Sequence, residues 1–134
     1  MRQADAEVRI APILIVDDQP ENLWFLEDVL EAAGFTNCRT TTNARNAAAI
    51  AAEFQPELIL LDLHMPEMDG IAVMRELGAG FAKHACLPVL MLTSDASPAA
   101  KETAFAAGAA DFLTKPCSPA EILIRVRALL GSRV

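Results

Sequence analysis

The chain has 134 residues, a length that suits one domain with a buried core and is short for two. Hydrophobic residues make up 53% and charged residues 22%, which excludes an intrinsically disordered chain. With 18 acidic and 11 basic residues the net charge is −7, so we expect a protein partner or a cation rather than nucleic acid. No run approaches the roughly 18 apolar residues of a membrane-spanning helix, so we expect no membrane partner.

The cysteines predict neither a metal site nor a disulfide framework. Cys38, Cys86 and Cys117 lie far apart, and none belongs to a Cys-x-x-Cys pair. Reduced thiols of this kind, together with an N-terminus that lacks the apolar core of a signal peptide, predict a cytoplasmic protein. We expect one folded domain over residues 11–131, with a flexible N-terminal segment at 1–10 and a tail at 132–134.

Short segments with the pattern of β-strands alternate with longer segments whose apolar residues have helical spacing. The predicted strands are Ile13–Val16, Asn37–Thr41, Leu58–Leu61, Val89–Leu92 and Asp111–Thr114. The predicted helices begin at Pro20, Ala44, Ile71, Pro98 and Pro119; the third ends at Leu77, before a loose Gly78-Ala79-Gly80 segment. Such βα repeats predict an α/β fold, a doubly wound parallel sheet with helices on both faces. The polar strand Asn37–Thr41 is expected at an edge.

Chemically active side chains follow four of these strands. Asp17 and Asp18 follow the first, Asp62 the third, Thr93 the fourth and Lys115 the fifth. Because the carboxyl ends of parallel strands meet at one edge of the sheet, we expect these side chains to share a pocket. Three carboxylates, a hydroxyl and an ammonium together predict a divalent-cation and phosphoryl site.

The order of these motifs resembles one family over nearly the whole chain, from about Ile13 to Leu130. The chain resembles the receiver domain of two-component response regulators. The resemblance rests on the following motifs in order: Asp17-Asp18, Asp62 with Met65-Pro66 and Asp69-Gly70, Thr93, Gly108-Ala109, and Lys115-Pro116. It implies a flavodoxin-like (βα)5 fold with strand order 2-1-3-4-5.

The resemblance also implies a role for each residue of the pocket. Asp62 is the expected phosphoacceptor, taking a phosphoryl group from a phosphohistidine on a sensor histidine kinase or histidine phosphotransfer protein. Asp17, Asp18, Asp62 and the backbone carbonyl of His64 are expected to bind Mg²⁺, for which Mn²⁺ could substitute. Lys115, turned inward by a cis bond to Pro116, is expected to contact the phosphoryl oxygens.

Further residues match family positions for switching and output. Thr93 and Phe112 are the expected switch pair, and His64 and Asp95 are expected to tune the lifetime of the acyl phosphate. Another set matches positions where one receiver subfamily forms inter-subunit salt bridges, although a solvated face is the plainer interpretation: Lys101, Asp111, Glu121 and Arg125. The expected output is a downstream effector protein or domain, or a homodimer formed on phosphorylation.

Three alternatives stay open at this point. One is a receiver-fold interaction module that accepts no phosphate. Another is a Mg²⁺-dependent aspartyl-phosphate hydrolase of the haloacid-dehalogenase type, although His64 stands where that family has a second Asp. A third is a flavodoxin-like electron carrier, although no phosphate-binding loop follows the first strand. We favour a signalling switch that catalyses its own phosphorylation and dephosphorylation over a turnover enzyme.

Overall fold

Five parallel strands form one sheet in the order β2-β1-β3-β4-β5, as predicted. The structure, a computed structural model, describes residues 10–80 and 87–131. The strands are β1 (Ile13–Val16), β2 (Cys38–Thr41), β3 (Leu58–Asp62), β4 (Val89–Thr93) and β5 (Asp111–Thr114). The polar strand β2 lies at one edge, as its sequence indicated.

Helices connect the strands and cover the sheet. They are α1 (Pro20–Ala32), α2 (Ala47–Phe54), α3 (Gly70–Gly80), α4 (Pro98–Ala106) and α5 (Pro119–Gly131). Proline at the start of α1, α4 and α5 fits the first helical turn, where a missing N–H breaks no hydrogen bond. Among the described residues, no helix has the length and apolar character needed to span a bilayer.

The sheet is buried on both faces because its central strands are continuously apolar. Leu14, Ile59 and Met91 point to the face that also contains buried residues of α2, α3 and α4. Ile15 and Leu60 alternate with them and point to the opposite face, among buried residues of α1 and α5. This two-sided burial fixes where each strand ends, and so fixes the positions of the residues that follow.

Two predicted helix boundaries were wrong. The segment from Ala44 begins with a 3₁₀ turn, Ala44–Asn46, because the Asn43 side chain accepts a hydrogen bond from the Arg45 N–H and caps it. Helix α3 continues to Gly80 instead of ending at Leu77. Glycine costs about 1 kcal/mol within a helix but does not forbid it, and Gly78 has open space around it.

Several expectations concern residues that the structure does not describe. The flexible segment proposed for 1–10 lies outside the described residues except for Ile10, which is exposed. The proposed tail at 132–134 and Cys86 also lie outside them. Cys38 and Cys117 are free thiols, each half-buried.

Candidate functional site

Three carboxylates meet at the carboxyl edge of the sheet. Strands β1 and β3 are hydrogen-bonded neighbours with Val16 paired to Leu61, which places Asp17 beside Asp62. One oxygen each of Asp17, Asp18 and Asp62 lies within 4.8 Å of the others. Asp17 and Asp62 are buried, whereas Asp18 is half-buried. Such a cluster of oxygen ligands, reachable from solvent on one side, fits a hard divalent cation.

Asp17 is held by donors on both of its carboxylate oxygens. Oδ2 accepts from Lys115 Nζ at 2.7 Å, and Oδ1 accepts from the Gln19 N–H at 3.0 Å and from Asn22 Nδ2 at 3.3 Å. The contribution of Asn22 was missed in the sequence. Its position in the first turn of α1, two residues after Pro20, could have indicated that it faces the acids.

Lys115 is shared between two carboxylates. Its Nζ lies 2.7 Å from Asp17 Oδ2 and 3.6 Å from Asp62 Oδ2. The Lys115–Pro116 peptide bond is cis, as predicted, and the Lys115 N–H donates to the Thr93 carbonyl at 2.7 Å. The lysine is therefore anchored beside the end of β4 and directed into the acidic cluster.

The surroundings of Asp62 disfavour its charged form. Burial raises the pKa of Asp62 above its usual value, and the charges of Asp17 and Asp18 raise it further. Lys115 and the His64 N–H, which donates to Asp62 Oδ1 at 3.4 Å, act in the opposite direction. The charge on Asp62 is thus only partly compensated by the protein, which is a second reason why a cation fits this site.

The loop after β3 passes close behind Asp62. The Gly70 N–H donates to the Leu63 carbonyl at 2.8 Å. A Cβ at Gly70 would lie 2.5 Å from the backbone oxygen of Asp62 and 3.0 Å from the Leu63 Cα. Glycine is therefore required here because the backbone approaches too closely for any side chain.

Thr93, Asp95 and His64 form a connected group across the mouth of the site. The Asp95 N–H donates to Thr93 Oγ1 at 3.2 Å, and His64 Nε2 lies 2.7 Å from Asp95 Oδ2. Hydrogen bonds lower the pKa of Asp95 to about 2, with the largest single effect from His64 and smaller ones from Ser97. The two residues expected to tune the acyl-phosphate lifetime therefore contact each other directly, which their spacing of 31 residues did not reveal.

Phe112 is buried in β5. Its ring lies against the exposed Phe105 of α4, with 6.4 Å between ring centroids and an interplanar angle of 41°. The buried pose is one of the two poses expected of a switch aromatic.

The four predicted interface residues are not brought into one contact. Arg125 pairs with Asp111 within the chain, with 2.7 Å between Nη1 and Oδ2. Glu121 accepts from the Ser118 N–H at 3.4 Å while its own N–H donates to Ser118 Oγ at 3.1 Å, which is a capping box. Lys101 is exposed on α4.

A mostly apolar cavity of about 330 Å³ adjoins the site on the side of α1. Lys115 and Asn22, the two side chains that hold Asp17, both line it. The remaining lining residues are Phe25, Leu26, Leu92, Ser94, Pro116 and Cys117. Trp24 and Phe25 on α1 are exposed.

This fold and site match a known family. The model of the response regulator receiver domain family matches residues 13–127. The chain belongs to this family, whose members are signalling switches of two-component systems. The carboxylate cluster, Thr93 and Lys115 all stand at the strand ends where the sequence predicted them.

Relatives support the same assignment. The chain is 41% identical over 118 residues to the DNA-binding dual master transcriptional regulator RpaA of Synechocystis, covering 88% of this chain and 48% of that protein. It is 39% identical to the transcriptional regulatory protein SrrA of Staphylococcus aureus, covering 88% and 47%. The chain thus spans about half the length of these relatives.

Solved structures show the same fold over almost their full length. Chemotaxis protein CheY4 of Vibrio cholerae has a TM-score of 0.83 at 29% identity, covering 90% of this chain and 98% of that one. The receiver domain of the sensor histidine kinase PA1611 of Pseudomonas aeruginosa has a TM-score of 0.80 at 28% identity, covering 91% and 98%. That structure has a magnesium ion coordinated in its active-site cleft.

Proposed function

We propose that Asp62 is the phosphoacceptor and that it takes a phosphoryl group from a phosphohistidine of a sensor histidine kinase or histidine phosphotransfer protein. The observation that carries the proposal is the position of Asp62, buried beside two further carboxylates with Lys115 Nζ 3.6 Å from its Oδ2. An Asp62 oxygen attacks phosphorus, an oxygen–phosphorus bond forms, and the phosphorus–nitrogen bond to the donor histidine breaks. The product is an acyl phosphate, which water later hydrolyses.

The carboxylate cluster supports a divalent cation at this site. Asp17, Asp18, Asp62 and the backbone carbonyl of His64 would hold Mg²⁺, or Mn²⁺ in its place. When bound, the cation would offset the charge of the carboxylates and of the phosphoryl oxygens.

The remaining groups of the pocket would act on the phosphoryl oxygens directly. Lys115 would offset their charge, and the Thr93 hydroxyl would donate a hydrogen bond to one of them. His64 and Asp95 flank the mouth of the pocket and would set how readily water reaches the acyl phosphate. In this way the chain would catalyse both its own phosphorylation and its own dephosphorylation.

We propose that the phosphodonor protein docks against α1. The exposed Trp24 and Phe25 lie on this helix, and Phe25 also lines the apolar cavity that Lys115 borders. A donor helix with apolar side chains would bury these aromatic rings while its phosphohistidine points toward Asp62. Trp24→Ser should slow transfer from such a donor and leave phosphorylation by acetyl phosphate unchanged.

The output surface would be the face formed by α4, β5 and α5. Movement of Thr93 and of the Phe112 ring would change this face for an effector or for a second copy of the chain. The intrachain Asp111–Arg125 pair would have to open before either residue could pair with another subunit. Exposed pairs of this kind contribute about 0–1 kcal/mol, so they would set register more than affinity.

We place this switch in the cytoplasm, with the functional domain over residues 11–131. The thiols of Cys38 and Cys117 are free, which suits a reducing compartment.

The proposal is tested by incubating the chain with acetyl phosphate and Mg²⁺ and measuring phosphorylation by intact mass. Wild type should gain one phosphoryl group, and Asp62→Ala should gain none. Asp111→Ala, which removes a carboxylate outside the site, is the matched control and should label as wild type does. Equal labelling of wild type and Asp62→Ala would refute the proposal, and no labelling of either would favour a receiver-fold module that accepts no phosphate.

A further inference from the structure

Asp95 connects the mouth of the phosphoacceptor site to the start of α4. Its N–H donates to Thr93 Oγ1 at 3.2 Å, and its Oδ2 accepts from His64 Nε2 at 2.7 Å. Its other oxygen, Oδ1, accepts from the Ser97 N–H at 3.0 Å. Asp95 is ionised, because these bonds lower its pKa, so the histidine nitrogen must be the donor.

These contacts form a hydrogen-bond network that connects the acceptor Asp62 to Thr93. The His64 N–H donates to Asp62 Oδ1 at 3.4 Å, while the His64 ring reaches Asp95, whose N–H reaches Thr93. Thr93 and Asp62 are thus joined through two residues of the loops after β3 and β4. The His64–Asp95 contact is the link between these two loops.

The hydrogen-bond network also reaches the first turn of α4. Ser97 is the N-cap of this helix, and its Oγ accepts from the Ala100 N–H at 3.1 Å. The next residue, Lys101, donates its N–H to the Ser97 carbonyl at 3.2 Å. Asp95 therefore holds the residue that caps the N-terminus of α4.

We propose that the His64–Asp95 contact is a brace that stabilises the present arrangement of the loop between β4 and α4, and that phosphorylation of Asp62 has to break it. The proposal rests on the proposed function, since it concerns the same site. It adds a second route from the acceptor to the output face, through Asp95 and the Ser97 cap of α4. This route does not pass through Phe112.

The reason lies in what Thr93 does in each arrangement. Here Thr93 Oγ1 accepts a hydrogen bond from the Asp95 N–H. If Thr93 moves toward a phosphoryl group on Asp62, Asp95 must follow or release it, and Asp95 is tied to both His64 and Ser97. The brace therefore opposes the change, and removing it raises the population of the arrangement that favours the phosphoryl group.

The brace differs from a role in hydrolysis because it acts on the equilibrium between the present loop arrangement and the one that favours a phosphoryl group. A residue that only controls the access of water changes the decay of the acyl phosphate and leaves the affinity for a phosphoryl mimic unchanged. Beryllofluoride with Mg²⁺ forms such a mimic on an acceptor carboxylate without a hydrolysis step. Its affinity, measured by calorimetric titration, therefore isolates the brace.

The experiment is a double-mutant cycle of His64→Ala, Asp95→Ala and the double variant. His64→Ala should bind beryllofluoride about two- to fivefold more tightly than wild type, the range expected for one exposed pair. The double variant should gain no more than Asp95→Ala alone, because the contact can be removed only once. Glu102→Gln removes an exposed charge of α4 outside the hydrogen-bond network. It is the control and should bind beryllofluoride as wild type does.

A second readout follows α4 directly. Amide hydrogen exchange at Ala100 and Lys101 should become faster in His64→Ala, although His64 contacts neither residue. Unchanged or weakened beryllofluoride affinity in His64→Ala would overturn the brace, as would additive effects in the cycle. If wild type and Glu102→Gln are both folded but wild type binds no beryllofluoride, the proposed function fails. If wild type binds beryllofluoride and the variants of the cycle bind it with the same affinity, only the brace fails.

Discussion

Lys115 lies closer to Asp17 than to the proposed acceptor Asp62, at 2.7 Å against 3.6 Å. The lysine thus compensates a proposed metal ligand in this arrangement and stands within reach of the acceptor. A cation at the cluster would take over the compensation of Asp17. Lys115 would then be available for the phosphoryl oxygens.

Replacing Lys115 by Gln should slow phosphorylation by acetyl phosphate by about tenfold to a hundredfold, because a positioned positive charge is lost from the developing phosphoryl oxygens. The rate is measured by intact mass at saturating Mg²⁺. Lys101→Gln removes an exposed lysine of α4 and should leave the rate within a factor of two, as a control. A normal rate in Lys115→Gln would contradict the role assigned to the lysine.

Replacing Asp62 by Asn should stabilise the protein in the absence of divalent cations. Burial and the neighbouring acids raise the pKa of Asp62, so the folded state of wild type loses stability as pH rises through that pKa. Asn carries no charge at any pH and is spared this loss. At pH 7 we expect a gain of about 1 kcal/mol, or about 3 to 5 °C in Tm.

Thermal unfolding at several pH values checks the sign of this prediction. The advantage of Asp62→Asn should disappear below the usual carboxyl pKa of 3.8, where Asp62 is protonated in both the folded and the unfolded state. Added Mg²⁺ should narrow the gap at pH 7, since it stabilises wild type more than the variant. A variant less stable than wild type in EDTA at pH 7 would show that the acid is fully compensated.

Replacing Gly70 by Ala should destabilise the protein by about 2 to 4 kcal/mol, measured by urea unfolding. The new Cβ would lie 2.5 Å from the Asp62 backbone oxygen, and a backbone atom cannot move aside cheaply. Gly78→Ala is the matched control in the same helix. It has open space around it and should stabilise by about 0.5 to 1 kcal/mol. Equal effects at the two glycines would rule out the close approach behind Asp62.

The parallel βα architecture and the acidic cluster could be predicted because they depend on local patterns, whereas the strand order was implied by the family resemblance. Continuous apolar runs specify buried parallel strands, and the residues directly after them must meet at one edge, as Asp17, Asp62 and Lys115 do. Contacts between loops, such as His64–Asp95, depend on how two separate connections fold over the edge, which no periodicity encodes. The end of α3 was misjudged because Gly78 lowers helix stability without setting a boundary.

Replacing Asn22 tests how far the protein orients the carboxylate of Asp17 before a cation binds. Its side chain donates to Asp17 Oδ1 at 3.3 Å, so Asn22→Ala should leave Asp17 less well oriented and weaken Mg²⁺ binding by about tenfold. Calorimetric titration with MgCl₂ measures the affinity. Asn37→Ala, whose side chain donates to the Ile10 carbonyl and contacts none of the three acids, should bind Mg²⁺ as wild type does. Similar affinities for both variants would mean that Lys115 and the Gln19 N–H orient Asp17 without help.

Beryllofluoride and Mg²⁺ should shift the chain from a monomeric to a dimeric mass in sizing chromatography with light scattering, if the α4–β5–α5 face joins two copies. Phe105 is exposed on α4 against the Phe112 ring, so Phe105→Ser should abolish the shift by removing apolar area from this face. Trp24→Ser removes a similarly exposed aromatic ring from α1, which is not part of this face and packs on the side of the sheet opposite to α4, and should dimerise as wild type does. A monomeric mass for wild type under saturating mimic would exclude dimerisation through this face and leave an effector protein as its partner.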